Sequence, residues 1–272
     1  GGVTASPPPG PGESGPTAIA GRAANPVLDT WRQLVRARPP HPRFDPEVLD
    51  PLPEPAQRWL RHAIAPGTPL AGAVVLEMEG HIRLKSWIPF RAVQAEVPTE
   101  GYVWAARARL GPLSISGYDR YSGPSGEMHW RLFERLPVMS ASGTDVSRSA
   151  ACRLAIDAVF VPTTFLSPSV SWQQHPERPE VAIAVWTIGE EEHRLELTVD
   201  RGGRLRSVTA RRWSNPLGEP WGKHPFGGLL SEEVTTGGIT VPTVVHVGYY
   251  PETDRWAEGE FFRSRITSAT YL

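Results

Sequence analysis

With 272 residues, 40% of them hydrophobic, the chain has enough apolar material for one large all-β domain or two ordinary ones. Twenty-eight basic residues against 29 acidic ones give a formal charge of −1, and their scatter excludes the basic footprint of a nucleic-acid binder. The single cysteine excludes an intramolecular disulfide, and no run of ~18 apolar residues is present to span a bilayer as a helix.

Residues 1–25, rich in Pro, Gly, Ser and Ala, read as a disordered leader with little to bury, followed by one domain over 26–272. No basic segment followed by an apolar one stands at this start, so no secretory signal is expected and the simplest address is the cytoplasm. From Pro26 to Ala37, Val27, Trp31, Leu34 and Val35 recur at helical spacing, with Asn25 as cap and Pro26 in the first turn. The Pro-rich connector RPPHPRFDP leads to a second short helix from Pro53 to Ile64, ended by Pro66-Gly67.

From Leu70 the period becomes two. In AGAVVLEMEGHIRLK, Val74, Leu76, Met78, Ile82 and Leu84 alternate with polar residues, the pattern of a strand pair with one wet face. Further alternating runs occupy 87–97, 101–110, 113–121 and 126–133, separated by Gly and Pro turn signals. The stretch Thr144–Leu166 breaks the rhythm. Ala150, Ala151, Cys152, Leu154, Ala155, Ile156, Ala158, Val159 and Phe160 leave almost no polar face. A buried helix is therefore predicted over 145–161, with Thr144 and Asp145 as N-cap oxygens and Pro162 as its stop. Strands resume at 181–188, 192–200 and 203–213, the last two joined by the hairpin signal Asp200-Arg201-Gly202-Gly203. Residues 214–226 read as an irregular loop, and strands near 228–236, 240–250 and 256–271 close the chain. The expected fold class is α+β and mostly antiparallel β. It is a strongly curved sheet or open β-barrel of about nine to eleven strands, plugged by the central buried helix and preceded by short N-terminal helices.

Arg153 and Asp157, four residues apart inside the apolar helix, stack on one side, and burying them is costly unless they pair. They read either as a polarising or proton-moving pair at the base of a cavity, or as a brace between helix and sheet. In LSISGYDRY (Leu113–Tyr121), the parity of Leu113 and Ile115 turns Asp119 and Tyr121 inward. Asp119 is then a base or an orienting acceptor, or simply a cap on the following turn. Of the ten tryptophans, Trp104 and Trp130 share inward parity with apolar neighbours and are the preferred cavity linings. Met128, Tyr118, Tyr121, Phe165 and Trp172 complete the expected ligand contacts. Cys152 reads as a small buried hydrophobe. The eight histidines show no metal spacing, and GxGxxG, Walker and GxSxG patterns are absent, so neither a metal nor a nucleotide cofactor is expected.

The motifs RWLRHAIAPG, GYVWAARARL, GYDRYSGPSGEM, CRLAIDAVFVPTTFL, VDRGGRLRSVTARRW and FGGLLSEEV…GGITVPTVVHVGYY carry a resemblance over residues 54–272. The chain resembles a bacterial, actinobacterial-type family of unknown function whose members often have a membrane-spanning N-terminus and commonly carry Glu where Asp157 stands. Lacking that segment, it looks like a soluble relative. The order of elements is similar to the open half-barrel of bacterial lipoprotein carriers, which implies an apolar cup with a helix against its opening.

The leading functional expectation is a cofactor-free enzyme that holds an extended apolar small molecule and promotes its cyclisation or isomerisation in natural-product biosynthesis. Orientation supplies most of the rate, and Arg153, Asp157 and Asp119 supply polarisation or proton transfer. The alternative is a non-catalytic carrier or sensor of a lipid-like hydrophobic ligand, and a third reading is an interaction module with a filled interior. Strand alternation is the same for a filled barrel and a hollow one, so the choice falls to the tertiary structure.

Overall fold

The computed structural model describes residues 15–272, and the first part of the expected leader lies outside the described residues. The rest of that leader is helical: α1 (Pro16–Ala20) and a 3₁₀ segment (Gly21–Val27) run into α2 (Leu28–Leu34). Ala20, Ala24, Val27, Trp31 and Leu34 are buried against Val75, Val93, Val103 and Tyr118 of the sheet. The misreading has a simple cause. Alanine contributes little apolar signal per residue, yet its small side chain lets a short helix lie flush on a sheet.

After α3 (Glu54–Ala63), six strands follow in succession: β1 (Val74–Arg83), β2 (Trp87–Val97), β3 (Gly101–Leu110), β4 (Leu113–Ser122), β5 (Ser125–Leu132) and β6 (Leu136–Ser142). Next comes α4 (Thr144–Asp157), extended by 3₁₀ turns over Ala158–Phe160 and Pro162–Leu166. Then follow β7 (Ser171–Gln174), β8 (Val181–Ile188), β9 (Glu191–Val199), β10 (Leu205–Ser214), β11 (Gly222–Thr236) and β12 (Ile239–Tyr249). A short α5 (Trp256–Gly259) leads into β13 (Glu260–Tyr271).

All strands join one antiparallel sheet in the order β6-β5-β4-β3-β2-β1-β13-β12-β11-β10-β9-β8-β7. It consists of two meanders that meet where β1 pairs with β13, from Val74 opposite Tyr271 to Ile82 opposite Phe262. The sheet stays open, with β6 and β7 as its edges, and α4 is the connection that runs from one edge to the other. The expected curved antiparallel sheet with a central helix is thus the observed architecture, with thirteen strands among the described residues rather than nine to eleven. The additions are β6, whose residues are nearly all exposed, and β7, which has only four residues; neither shows one apolar face. AGAVVLEMEGHIRLK forms the single strand β1 rather than a pair, and β11 begins at Gly222 inside the segment read as a loop.

Alternation gives the sheet two buried faces. In β2, Ile88, Phe90, Ala92, Gln94 and Glu96 turn to the inner face, which carries α3 and α4, whereas Val93, Ala95 and Val97 turn to the outer face under α1 and α2. At the start of α4 the expected caps are corrected. Gly143 is the N-cap at φ 102°, ψ −175°, a conformation open to glycine, and Thr144 is already helical. Asp145 instead accepts a hydrogen bond from Trp213 Nε1 at 2.7 Å. Among the described residues no helix is long and apolar enough to cross a membrane.

Candidate ligand cavity

Between α4 and the inner face lies a cavity of about 440 Å³, within the range of small-molecule sites. Its wall is apolar where β1, β10, β11, β12 and β13 turn in Leu76, Met78, Val208, Phe226, Leu230, Val245 and Ile266. Helix α4 presents Ser149, Ala150, Arg153, Ile156 and Asp157, one stripe at helical spacing.

The polar part of the wall is organised around Arg153. Its Nε donates to Asp157 Oδ2 (3.3 Å), Nη1 to Asp119 Oδ2 (3.1 Å) and Nη2 to Gln94 Oε1 (3.0 Å). The guanidinium plane lies over the rings of Tyr102 (4.6 Å) and Trp104 (5.4 Å). Gln94 is fixed at its other end, where Nε2 donates to Asp157 Oδ2 (3.2 Å) and Glu96 Oε2 (3.1 Å). Trp130 Nε1 donates to Asp119 Oδ1 at 3.1 Å, so both oxygens of Asp119 are engaged.

Burial dominates the electrostatics. It raises the pKa of Asp119 above the ordinary carboxylic value, even against the opposing pull of Arg153 and of the Trp130 hydrogen bond. It raises Glu96 well above the usual range, helped by the negative charge of Asp157, which favours the neutral acid. Burial pushes the Tyr102 phenol up to about 12. For Arg153 burial acts downward, but Tyr102, Asp157 and Asp119 outweigh it and hold the guanidinium firmly charged. Cys152 is buried with its thiol pushed up to about 11, chiefly by desolvation, as suits a packed hydrophobe.

Of the expected site residues, Asp157, Arg153, Asp119, Trp104 and Met128 line this cavity. Trp130 stands behind the wall, 5.7 Å from Trp104 between ring centroids. Four others lie elsewhere. Tyr121 packs in the inner core without lining the cavity. Phe165 and Trp172 pack on each other at 6.0 Å, Phe165 against Trp59 at 5.1 Å, in another part of the same core. Tyr118 belongs to the outer face, where its hydroxyl donates to Glu127 at 3.3 Å, because its parity is opposite to that of Asp119.

Four residues were missed: Gln94, Glu96, Tyr102 and Arg212. The parity of Ile88 and Phe90 points to the first two, and that of Val208 points to Arg212. Arg212 lines the cavity with its plane 4.5 Å over Phe226, and its Nε donates to Ser149 O (3.1 Å) and Oγ (3.0 Å). Its Nη groups make no hydrogen bond among the described residues. Among those residues, no group of three or more His, Cys, Asp or Glu side chains is placed to hold a metal ion.

The model of a family of unknown function, DUF6544, matches residues 42–261. Two solved structures are similar at low identity. One, described as an outer membrane lipoprotein-sorting protein domain from Vibrio parahaemolyticus, is 8% identical with a TM-score of 0.39, covering 74% of this chain and 86% of its own. The other, a LolA superfamily protein from Nitrosomonas europaea, is 10% identical with a TM-score of 0.36, covering 80% of this chain and 92% of its own. No curated protein matches the chain.

Proposed function

The chain belongs to the DUF6544 family of unknown function, and from that premise we propose that it binds a lipid-like small molecule and acts as its carrier or sensor. The observation that carries this reading is one cavity with two kinds of polar group. The Arg153 cluster is closed on itself: its guanidinium is bonded on three sides, and both oxygens of Asp119 already accept hydrogen bonds. Arg212, by contrast, faces the same apolar space with its Nη donors uncommitted among the described residues. A ligand with an apolar body and an acidic head matches both features, because a guanidinium fork pairs bidentately with a carboxylate or phosphate. On this reading the Arg153 cluster is a rigid wall rather than a proton relay.

Binding of the fluorescent polyene fatty acid cis-parinaric acid tests it. The native chain is expected to bind the probe. Gly228→Leu places a side chain into the cavity from β11, where a Cβ meets only ordinary contacts at 3.7 Å, and is expected to weaken binding at least tenfold. Arg212→Met is expected to weaken binding of the acid more than binding of the corresponding alcohol. A folded native chain that ignores both probes overturns the reading.

A second reading, cyclisation or isomerisation without a cofactor, draws support from one group, the Asp119 carboxyl, whose pKa is raised and which lines the cavity. It requires Asp119 to exchange Trp130 and Arg153 for a substrate proton. Ligand recovered as an isomer of equal mass, with turnover lost in Asp119→Asn, favours it over the carrier; ligand recovered unchanged favours the carrier.

A further inference from the structure

Three hairpins of the first meander turn at the same end of the sheet. Their closing pairs are Arg83 with Trp87, Leu110 with Leu113, and Leu132 with Leu136. The intervening turns, at Val97–Gly101 and Ser122–Ser125, lie at the opposite end. The three tips share a composition that the fold does not require. They read RLKSW, RLGPL and RLFERL, and each displays large apolar side chains to solvent: Leu84, Leu110, Leu113, Phe133 and Leu136 are between 38% and 61% exposed.

Apart from Glu134, the charges carried by the three tips themselves are basic. Lys85, Arg109, Arg131 and Arg135 make no ion pair with a carboxylate among the described residues. The one acidic residue of the three tips, Glu134, is turned away to Arg107 and to the backbone N–H of Arg22. The backbone supports the same presentation. Phe133 and Glu134 hold φ of 50° and 62°, a conformation that bulky residues rarely adopt, so Phe133 is displayed at the tip at a conformational cost. Ile82, two residues before Leu84, lines the cavity, which places this end of the sheet beside the ligand space.

We propose that these three hairpin tips form a docking surface for an anionic phospholipid bilayer, inserting their leucines and Phe133 between headgroups while Lys85, Arg109, Arg131 and Arg135 meet the lipid phosphates. Separate apolar points set among cations suit a headgroup layer, which is apolar only below its charged surface. The adsorption is read from the tips alone. That it serves loading or release of a ligand rests on the cavity reading above.

The test is co-sedimentation of the whole chain with vesicles of phosphatidylcholine alone and of equal parts phosphatidylcholine and phosphatidylglycerol. The chain is expected to pellet with the anionic vesicles, to be released by high salt, and to remain in solution with the neutral ones. The variant Leu84→Ser/Leu110→Ser/Phe133→Ser and the variant Lys85→Glu/Arg109→Glu/Arg135→Glu are each expected to lower partitioning at least tenfold. Both should melt like the native chain and keep cis-parinaric acid binding, since none of these residues lines the cavity. A native chain that ignores anionic vesicles, binds both vesicle types equally, or binds undiminished in both folded variants overturns the proposal. Loss of probe binding with vesicle binding intact would overturn the cavity reading instead.

Discussion

Glu96 is fully buried with one carboxyl oxygen, Oε1, lacking a partner, and the charge of Asp157 adds to burial in favouring its neutral form. This has a consequence for stability. Between the unfolded pKa, about 4.3 for glutamate, and the raised folded pKa, the native state holds a proton that the unfolded state has released. Stability therefore falls as pH rises through that window, by up to about 1.4 kcal/mol per pH unit, and levels off above the folded pKa. Glu96→Gln removes this contribution. In denaturant titrations across pH, its stability relative to the native chain is expected to improve steadily from acid toward neutral pH; parallel curves would show that Glu96 is ionised in the fold. Gln94 and Glu96 were legible in the sequence by parity alone, but β2 is apolar on both faces, and the inner face cannot be told from the outer until helices are laid on each.

At the scale of elements, α4 lies close against the β4–β5 hairpin. A Cβ built on Gly126 would stand 2.7 Å from Ala150 Cβ and 3.1 Å from Ser147 Cα, and the Gly126 N–H donates to Ser147 Oγ at 2.9 Å. Gly126→Val is expected to destabilise the chain by roughly 1–3 kcal/mol through overpacking. It should also weaken cis-parinaric acid binding, because the face of α4 that it displaces carries Ser149, Ala150 and Arg153 into the cavity. Unchanged melting and unchanged binding together would mean that α4 is free to shift. The helix itself was plain in the sequence, since nine apolar residues between Ala150 and Phe160 leave almost no wet face. Its cap was not. Gly143 is selected by backbone conformation, which the residues following it do not announce.

At the scale of the molecule, the cavity is lined by both meanders and by α4, so a molecule filling it would touch all three at once. A ligand that binds only this folded arrangement stabilises it by RT ln(1 + [L]/Kd), about 2.7 kcal/mol at a hundredfold excess over Kd. Cis-parinaric acid is therefore expected to raise the melting temperature by several degrees in the native chain and by much less in Gly228→Leu. A melting temperature that stays constant as the probe saturates would count against a cavity formed by the native state alone.

The curved antiparallel sheet, the central helix and the pairing of Arg153 with Asp157 follow from sequence, because each is a local matter of period and of the cost of burying charge. The same parity turned Asp119 and Trp104 inward, and register then sets them opposite each other on β4 and β3. What periodicity could not decide is which residues meet across the sheet. Phe165 and Tyr121 are as apolar and as buried as the cavity lining, with Trp172 packed on Phe165, and only packing separates a filled region of the core from a hollow one. The convergence of three Arg-Leu hairpin tips on one end, and of Arg212 with the Arg153 cluster in one cavity, likewise depends on strand order and register. Those are set by pairings between residues distant in sequence, and only the tertiary structure fixes them.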